Sequence, residues 1–488
     1  MEPLGTITVY FPFIDSETRG ILEKIMGDAA NYYDFVKTLQ QMVLDSDCSD
    51  KVVYFALHHS AQLLDFKAIN EIGRKYSDYQ LLMPPLFFAS AYQGHPEDFE
   101  AVRKSANLIL SRNPPNWIAI EMHFWKFETE SWNYPKTLYD EENLKTIKKM
   151  IEKEPRFGFY EALLQTHFAS RAHIDGDSME RRNCIDHAIR ISREYDDKVR
   201  LAYNLRVKAN ILENENRVEA REHLLESGRL MKLIGSKEGY SHVLENISKL
   251  EAIRGEFNYA IEHYLETVSI RESLGIETGN ISLVLSALYN IMGEFESGLE
   301  WAQMAEDQYK TRPKHIPRAI LNQVWSLIAL GRIAEANLLL DTVQEPIIKS
   351  GQETHLAWLH FINGLIEYNE GDFVSASSSI EEALKIYETR DGTMMIQLLF
   401  LYHLAKIEIS QSEIDTEVYP YLALLEEKSI SEDLPGIMGQ TLLLKAELAL
   451  FKNDDSLLRD IVQKLNSLTQ EPSMEFLVPP LKLLLTRI

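Results

Sequence analysis

The stretch NGLIEYNEGDFVSASSSIEEALKIY, residues Asn363–Tyr387, decides how the whole chain is read. Gly371-Asp372-Phe373 is followed at fixed offsets by Ala376, Ile380 and Ala383. The same arrangement recurs upstream. Gly331-Arg332-Ile333 precedes Ala336, Leu340 and Val343; Gly293-Glu294-Phe295 precedes Gly298, Ala302 and Ala305; Gly255-Glu256-Phe257 precedes Ala260, Tyr264 and Thr267. The four glycines are separated by 38, 38 and 40 residues, so the chain carries an internal repeat, which takes precedence over any element-by-element reading. Trp358–Tyr368 and Ala376–Tyr387 place apolar residues at spacings of three and four, the period of an amphipathic helix. A glycine between two such helices suits a left-handed helix end. Alanine at 260, 336 and 376 lets the second helix approach its neighbours closely.

The frame extends outward with less fidelity. Counting back from Gly255 reaches Glu215, ahead of Ala220, and then Gly176, ahead of Ala188. Counting forward reaches Gln411 and Asn453, with Ala423 and Leu465 late in each second helix. This pattern resembles the tetratricopeptide repeat, in which a glycine ends the first helix, an aromatic opens the second and small residues permit close packing. The resemblance covers residues 158–470. It implies an all-α, right-handed superhelical solenoid of antiparallel helix hairpins. The period here exceeds the family's usual value of about 34 residues, and the excess amounts to roughly one helical turn or a longer loop per unit. Ile234-Gly235, Leu274-Gly275 and Arg390-Asp391-Gly392 stand where such loops belong. The family's early Trp-Leu-Gly positions are degenerate, occupied for instance by Ser286 and Tyr289 or by Gly364 and Glu367.

Residues 50–157 also read as helices. Lys51–Leu64 and Phe66–Tyr76 form one candidate hairpin, and Pro84-Pro85, Gly94-His95-Pro96-Glu97, Pro114-Pro115 and Pro135 punctuate the rest. They are candidates for degenerate repeats of the same solenoid. Within residues 1–49, Thr6–Phe13 has a strand composition, which predicts a short extended N-terminal segment. That segment either lies across the first helices or pairs with the sheet edge of a partner or second copy. Residues 471–488 read as a capping helix over the last apolar face.

Composition excludes several classes of function. The 488 residues carry 74 acidic and 50 basic side chains, a formal charge of −24, against nucleic acid and anionic membrane as partners. Two cysteines, Cys48 and Cys184, cannot make a disulfide framework. No apolar window is long enough to span a bilayer, and the start lacks a basic n-region, so a cytoplasmic location is expected. No two glycines are separated by a single residue and no Gly-Lys-Ser or Gly-Lys-Thr occurs, which removes the common phosphate loops. No histidine has a second histidine three or four residues away, so the helical zinc pair is absent. The adjacent His58 and His59 read as packing residues. Cys184 reads as a small buried residue of a helix, with a nucleophilic role as the alternative. Asp45–Ala56 lacks the glycine and the closing glutamate of a calcium loop. The expectation is a protein with no catalytic residues, no cofactor and no metal.

The resemblance also implies where a partner sits. In a stacked array the first helix of each unit lines the concave face. The family's peptide-contacting positions fall here on His242, Asn246 and Lys249 before Gly255, on Arg318, Asn322 and Trp325 before Gly331, and on Trp358, Phe361 and Tyr368 before Gly371. Glu245, Ala252 and Ile253 share the first of those faces, Leu321, Ile328 and Ala329 the second, and Ile362, Leu365 and Asn369 the third. An asparagine beside a cation suits a peptide backbone or carboxylate, and the aromatics suit apolar pockets. For each of these residues, packing between units is the competing role. The expected function is a protein–protein interaction scaffold that binds a peptide or protein on its concave face. A regulatory sensor, whose superhelix changes on binding a ligand or peptide, is the alternative.

Overall fold

The computed structural model describes residues 5–8, 11, 14–62, 66–76, 98–133, 140–213, 215–311, 313–388, 394–410 and 418–486. Among them no strand occurs, and the chain divides into two compact units, Met1–Val243 and Leu244–Ile488. The first contains α1 (Gly5–Thr8), α2 (Ser16–Asp28), α3 (Tyr32–Asp45), α4 (Asp50–Gln62), α5 (Phe66–Lys75), α6 (Asp98–Leu110), α7 (Asn116–Asn133), α8 (Glu141–Lys153), α9 (Phe159–Asp175), α10 (Ser178–Glu194), α11 (Lys198–Leu212) and α12 (Arg217–Ile234). Helix α13 (Lys237–Arg254) runs across the division. The second unit continues with α14 (Phe257–Ser273), α15 (Gly279–Met292), α16 (Phe295–Gln308), α17 (Ile316–Ala329), α18 (Ile333–Ser350), α19 (Glu353–Glu370) and α20 (Phe373–Glu388). It ends with α21 (Met394–Ser410), α22 (Val418–Ser431), α23 (Pro435–Lys452), α24 (Asp455–Leu468), a 3-10 turn over Pro472–Leu477, and α25 (Val478–Leu485).

Consecutive helices pack in pairs, and in the second unit α15, α17 and α19 also pack one on the next. The fold is a tetratricopeptide-like helical repeat, built from the turns upward. Gly255, Gly293, Gly331 and Gly371 all have φ between 73° and 82°, a region costly for residues with a Cβ. Each closes the same pair of hydrogen bonds. The amide of Gly293 donates to Asn290 O and that of Glu294 to Tyr289 O, and the equivalents recur at Gly255, Gly331 and Gly371. This double bond satisfies carbonyls that a helix end leaves unpaired. The frame counted outward meets the same turn at Gly176 and at Asn453, where asparagine takes φ 54°. The turn counted to Gln411, the loop at Arg390–Gly392, Pro84-Pro85, Gly94–Glu97 and Pro135 lie outside the described residues. Helix starts follow their caps. Asp177, Asp197, Asn216 and Asp454 each accept a hydrogen bond from the amide three residues on. The small residues of the repeat are fully enclosed: Ala260, Ala302, Ala305, Ala336, Ala376 and Ala383 all have zero exposure.

One expectation is overturned. Where composition suggests a strand over Thr6–Phe13, residues Gly5–Thr8 form a helical turn, α1, whose Ile7 is buried and which packs against α11. A lone strand among helices has no edge to bond, whereas a helical turn supplies its own carbonyl partners. Residues 9–10 and 12–13 of that stretch lie outside the described residues.

In the first unit α7 buries the Glu121 carboxylate. The Tyr54 hydroxyl donates to it at 2.5 Å, Tyr160 donates to its other oxygen, and His58 Nδ1 lies 3.4 Å away. Those partners hold its pKa below the usual carboxylate range against the opposing effect of burial. His59 is enclosed and bonds the Tyr32 hydroxyl at 2.9 Å, so the adjacent histidines are part of the packing. Cys184 is buried, and burial together with Glu180 pushes its thiol up to about 12, the reverse of an activated nucleophile.

The second unit closes on itself. Gly255 and Gly436 meet backbone to backbone, so closely that a Cβ on Gly255 would lie 2.6 Å from Gly436 Cα. Beside that contact Arg254 Nη1 pairs with Asp433 Oδ2 at 2.5 Å, across 179 residues of sequence. The Phe257 ring stands edge-on to Phe476 at 5.0 Å. One continuous apolar core therefore joins α14 and α15 to α21, α22 and α23. At the C-terminal end, Leu481 and Leu484 of α25 are buried with Leu442 of α23 and Leu465 of α24.

Candidate functional site

The second unit leaves a partly open cavity of about 440 Å³. Its walls come mainly from the C-terminal halves of the first helices. Asn290 and Ile291 belong to α15, Trp325, Ile328 and Ala329 to α17, and Leu365, Tyr368 and Asn369 to α19. Helix α21 adds Leu398, Tyr402, His403 and Lys406, and α23 adds Ile437 and Gln440. Phe476 and Pro480 complete it from the C-terminal segment. The repeat explains this convergence: each first helix stops at the same glycine turn, so its last two turns occupy the same height in successive hairpins.

Most of the lining is apolar, and its polar groups are few and largely held. Ser326 Oγ donates to Asn290 Oδ1 at 2.8 Å. The Asn369 amide donates to Leu365 O at 2.8 Å, and Tyr368 shares a 2.8 Å hydrogen bond with Ser410. Lys406 Nζ lies 5.9 Å from the centre of the Tyr368 ring. Burial, with Lys406 adding to it, pushes His403 down to about 3, so its imidazole is neutral at neutral pH. Burial, reinforced by Glu447 and Tyr368, pushes Tyr402 up to about 12. Among the described residues, no aspartate or glutamate lines the cavity, and no cluster could hold a metal ion. Among the described residues, no helix is long and apolar enough to cross a membrane.

The residues singled out from sequence separate into three groups. Trp325 and Tyr368 line the cavity, together with Ile328, Ala329, Leu365 and Asn369 from the same faces. The N-terminal halves of the same helices are packed inside. Trp358 and Phe361 have at most 3% exposure, and Phe361 is surrounded by Trp325, Trp358, Phe400 and His403 at ring distances of 5.0 to 5.4 Å. Asn322 is also enclosed, its amide donating to Leu283 O at 3.1 Å and anchoring α17 to α15. Arg318 lies over the Trp358 ring at 3.1 Å, and burial lowers its pKa. The physical reason is α21, whose Phe400 and His403 fill the face that the repeat leaves open there. The third group is on α13. His242 lies 4.0 Å from Glu238 one turn earlier, Asn246 is half-buried and Lys249 is exposed; none of the three lines the cavity.

Sequence reasoning did not single out His403 or Lys406. A signal was present: Met394–Ser410 is apolar on nearly every side, the mark of a helix surrounded by protein.

No family model matches the chain, and no curated protein matches it in sequence. Among solved structures it is similar to a Rap protein complexed with competence and sporulation factor, at 16% identity and a TM-score of 0.41, covering 68% of this chain and 100% of that one. It is similar to yeast Tom70 at 11% identity and a TM-score of 0.35, over 93% and 92% of the two chains. A third likeness, at 14% identity and a TM-score of 0.31, is to a signal transduction ATPase with a tetratricopeptide repeat sensor from Pyrococcus horikoshii; it covers 80% of this chain and 56% of that one.

Proposed function

We propose that the protein is a non-catalytic binding module that takes a short peptide, or a short segment of a protein partner, into the cavity of its second unit. The observation that carries this reading is the convergence of α15, α17, α19, α21 and α23 on one apolar cavity of about 440 Å³. Ligand pockets commonly fall between about 300 and 1,000 Å³, so this one suits a few residues of extended chain rather than a folded domain. Trp325, Tyr368, Ile328 and Leu365 offer apolar contacts, and Gln440 and Asn369 offer polar groups to a peptide backbone. Among the described lining residues no carboxylate stands beside His403, whose imidazole burial keeps neutral.

A second reading is favoured by the closed seam. The contacts of Gly255 with Gly436 and of Arg254 with Asp433 tie the start of α23, which brings Ile437 to the cavity wall, to the end of α13. A ligand that binds the opened form better would shift the unit between two states, which is the behaviour of a sensor. The test is to incubate the full chain with the peptide fraction of its source cells and identify what is retained by mass spectrometry. Retained peptides that are lost in an Ala329→Trp variant, which fills the cavity, support the reading. Peptides retained equally by both proteins overturn it. A change in radius of gyration on adding a retained peptide selects the sensor, and an unchanged radius selects the static scaffold.

A further inference from the structure

The cavity takes the C-terminal ends of α17 and α19; their N-terminal ends gather three basic side chains. His315 immediately precedes α17, Arg318 is its third residue, and His355 is the third residue of α19. None of the three lines the cavity. Burial lowers the pKa of His355, and the charges of Arg318 and His315 lower it further, so both cationic groups bear on one imidazole. His355 is 8% exposed and its ring makes no hydrogen bond with any described residue. Arg318 lies over the Trp358 ring, and its Nη1 is enclosed without a partner among the described residues. Burial pulls the guanidinium down to about 9, against the opposing effect of Tyr387 at the end of α20. The carboxylate nearest in sequence, Glu353, is exposed and pairs with none of the three. Neither helix start is capped by a side chain, whereas Asp177, Asp197, Asn216 and Asp454 cap theirs. Two uncapped helix starts present free amides and the positive ends of two helix dipoles to the same place.

We propose that the N-terminal ends of α17 and α19 form a phosphate site, with Arg318 and His355 as its ligands and His315 at its rim. The observation that carries this is the pair of enclosed, unpartnered donors, one on each helix, beside two helix starts that nothing caps. Helix N-termini are natural anion sites, and a planar guanidinium matches the geometry of a phosphate better than an ammonium does. A dianion there accepts from Arg318 Nη1 and from the His355 imidazole, and it offsets the repulsion among the three basic groups. The chemistry recognised is a phosphate dianion, either free or as a monoester. This site is separate from the cavity and stands without the peptide reading.

The test titrates the full chain with inorganic phosphate and with phenyl phosphate, in chloride buffers of matched ionic strength, by calorimetry. The variants are Arg318→Met, His355→Gln and Ala329→Trp, each checked for native melting. Arg318→Met keeps the apolar stem and removes a buried charge, so it should fold. Loss of a charge-assisted bond predicts phosphate affinity at least about tenfold weaker in Arg318→Met and in His355→Gln. Ala329→Trp, which fills the cavity, should bind phosphate as the parent does. Phenyl phosphate bound alongside phosphate, and lost in the same two variants, identifies a site that takes monoesters; phosphate bound without it identifies a site for the free ion. A natively melting parent that binds neither probe overturns the proposal, because the three basic groups are then satisfied within the chain. Equal affinity in the parent, Arg318→Met and His355→Gln overturns it by placing the phosphate elsewhere. Loss in Ala329→Trp alone overturns it by placing the phosphate in the cavity.

Discussion

The two ends of the inner face of α17 and α19 follow the same repeat and end differently. Toward their N-termini, Trp358 and Phe361 are covered by Phe400 and His403 of α21, and the groove is filled by the protein itself. Toward their C-termini, one or two turns further on, Ile328, Ala329, Leu365, Tyr368 and Asn369 face a cavity. The period of the pattern assigns all of these residues to one face and has no means of telling the two ends apart. What separates them is a helix that arrives from later in the chain. A repeat therefore specifies which surface is inward, and the final hairpins decide how much of that surface remains vacant.

The largest expected effect lies at the filled end. Phe361→Ala removes an enclosed ring from an aromatic cluster of four neighbours, and truncations of this kind cost about 3–5 kcal/mol. Urea denaturation of the second unit's fluorescence should show that loss. A change below about 1 kcal/mol would mean that α21 does not occupy the face and that the two ends are alike.

The seam between Gly255 and Gly436 comes next. A Cβ on Gly436 would lie 2.2 Å from Gly255 O, a collision with backbone that no rotamer relieves. Gly436→Ala should destabilise by about 1–3 kcal/mol, measured by thermal melting, and should increase the radius of gyration if the seam opens rather than strains. An unchanged melting temperature would place the two segments apart in solution.

His403 stands at the junction of the two ends, and its titration reports how dry that junction is. Its pKa in the folded protein is pushed down to about 3 from an ordinary 6.5. Between those values the unfolded chain binds the proton and the folded chain does not. Stability is therefore fully present above about pH 6.5 and falls as the pH drops toward 3, by at most about 1.4 kcal/mol per pH unit from this group. Comparing the parent with His403→Phe from pH 7 to 4.5, above the main carboxylate range, isolates that slope. Parallel curves would show a hydrated histidine and a groove that is wet at both ends.

How much of this was legible in the residues depended on distance along the chain. The hairpins were readable because Gly371, its alanines and its apolar spacing act within some twenty positions of one another. The same local chemistry carried the frame correctly out to Gly176 and Asn453. The segment around Ile7 was misread because β composition describes a surface to be packed, and here the surface is α11 rather than a strand. The meeting of Gly255 with Gly436 had no local signature at all. Two glycines that allow backbones to touch look, in sequence, like two helix ends. Of the candidate residues, Trp325 and Tyr368 fall on the cavity lining, while Lys406, which also lines it, carries no signal because α21 has too little polar surface to show a face.

The smallest expected effect sharpens the comparison most. Ala329 and Ala336 are seven residues apart, on the two helices of one hairpin, and both are small. Ala336 is fully enclosed between helices, where an added isobutyl group has no room, so Ala336→Leu should cost about 1–3 kcal/mol. Ala329 is exposed and lines the cavity, so Ala329→Leu should change stability by less than about 0.5 kcal/mol. Both are read in the same thermal melts. Equal losses would mean that the space beside Ala329 is already packed, and the vacancy on which a bound peptide depends would disappear with it. A neutral Ala329→Leu beside a damaging Ala336→Leu would show one repeat using the same residue type to close one contact and to leave another open.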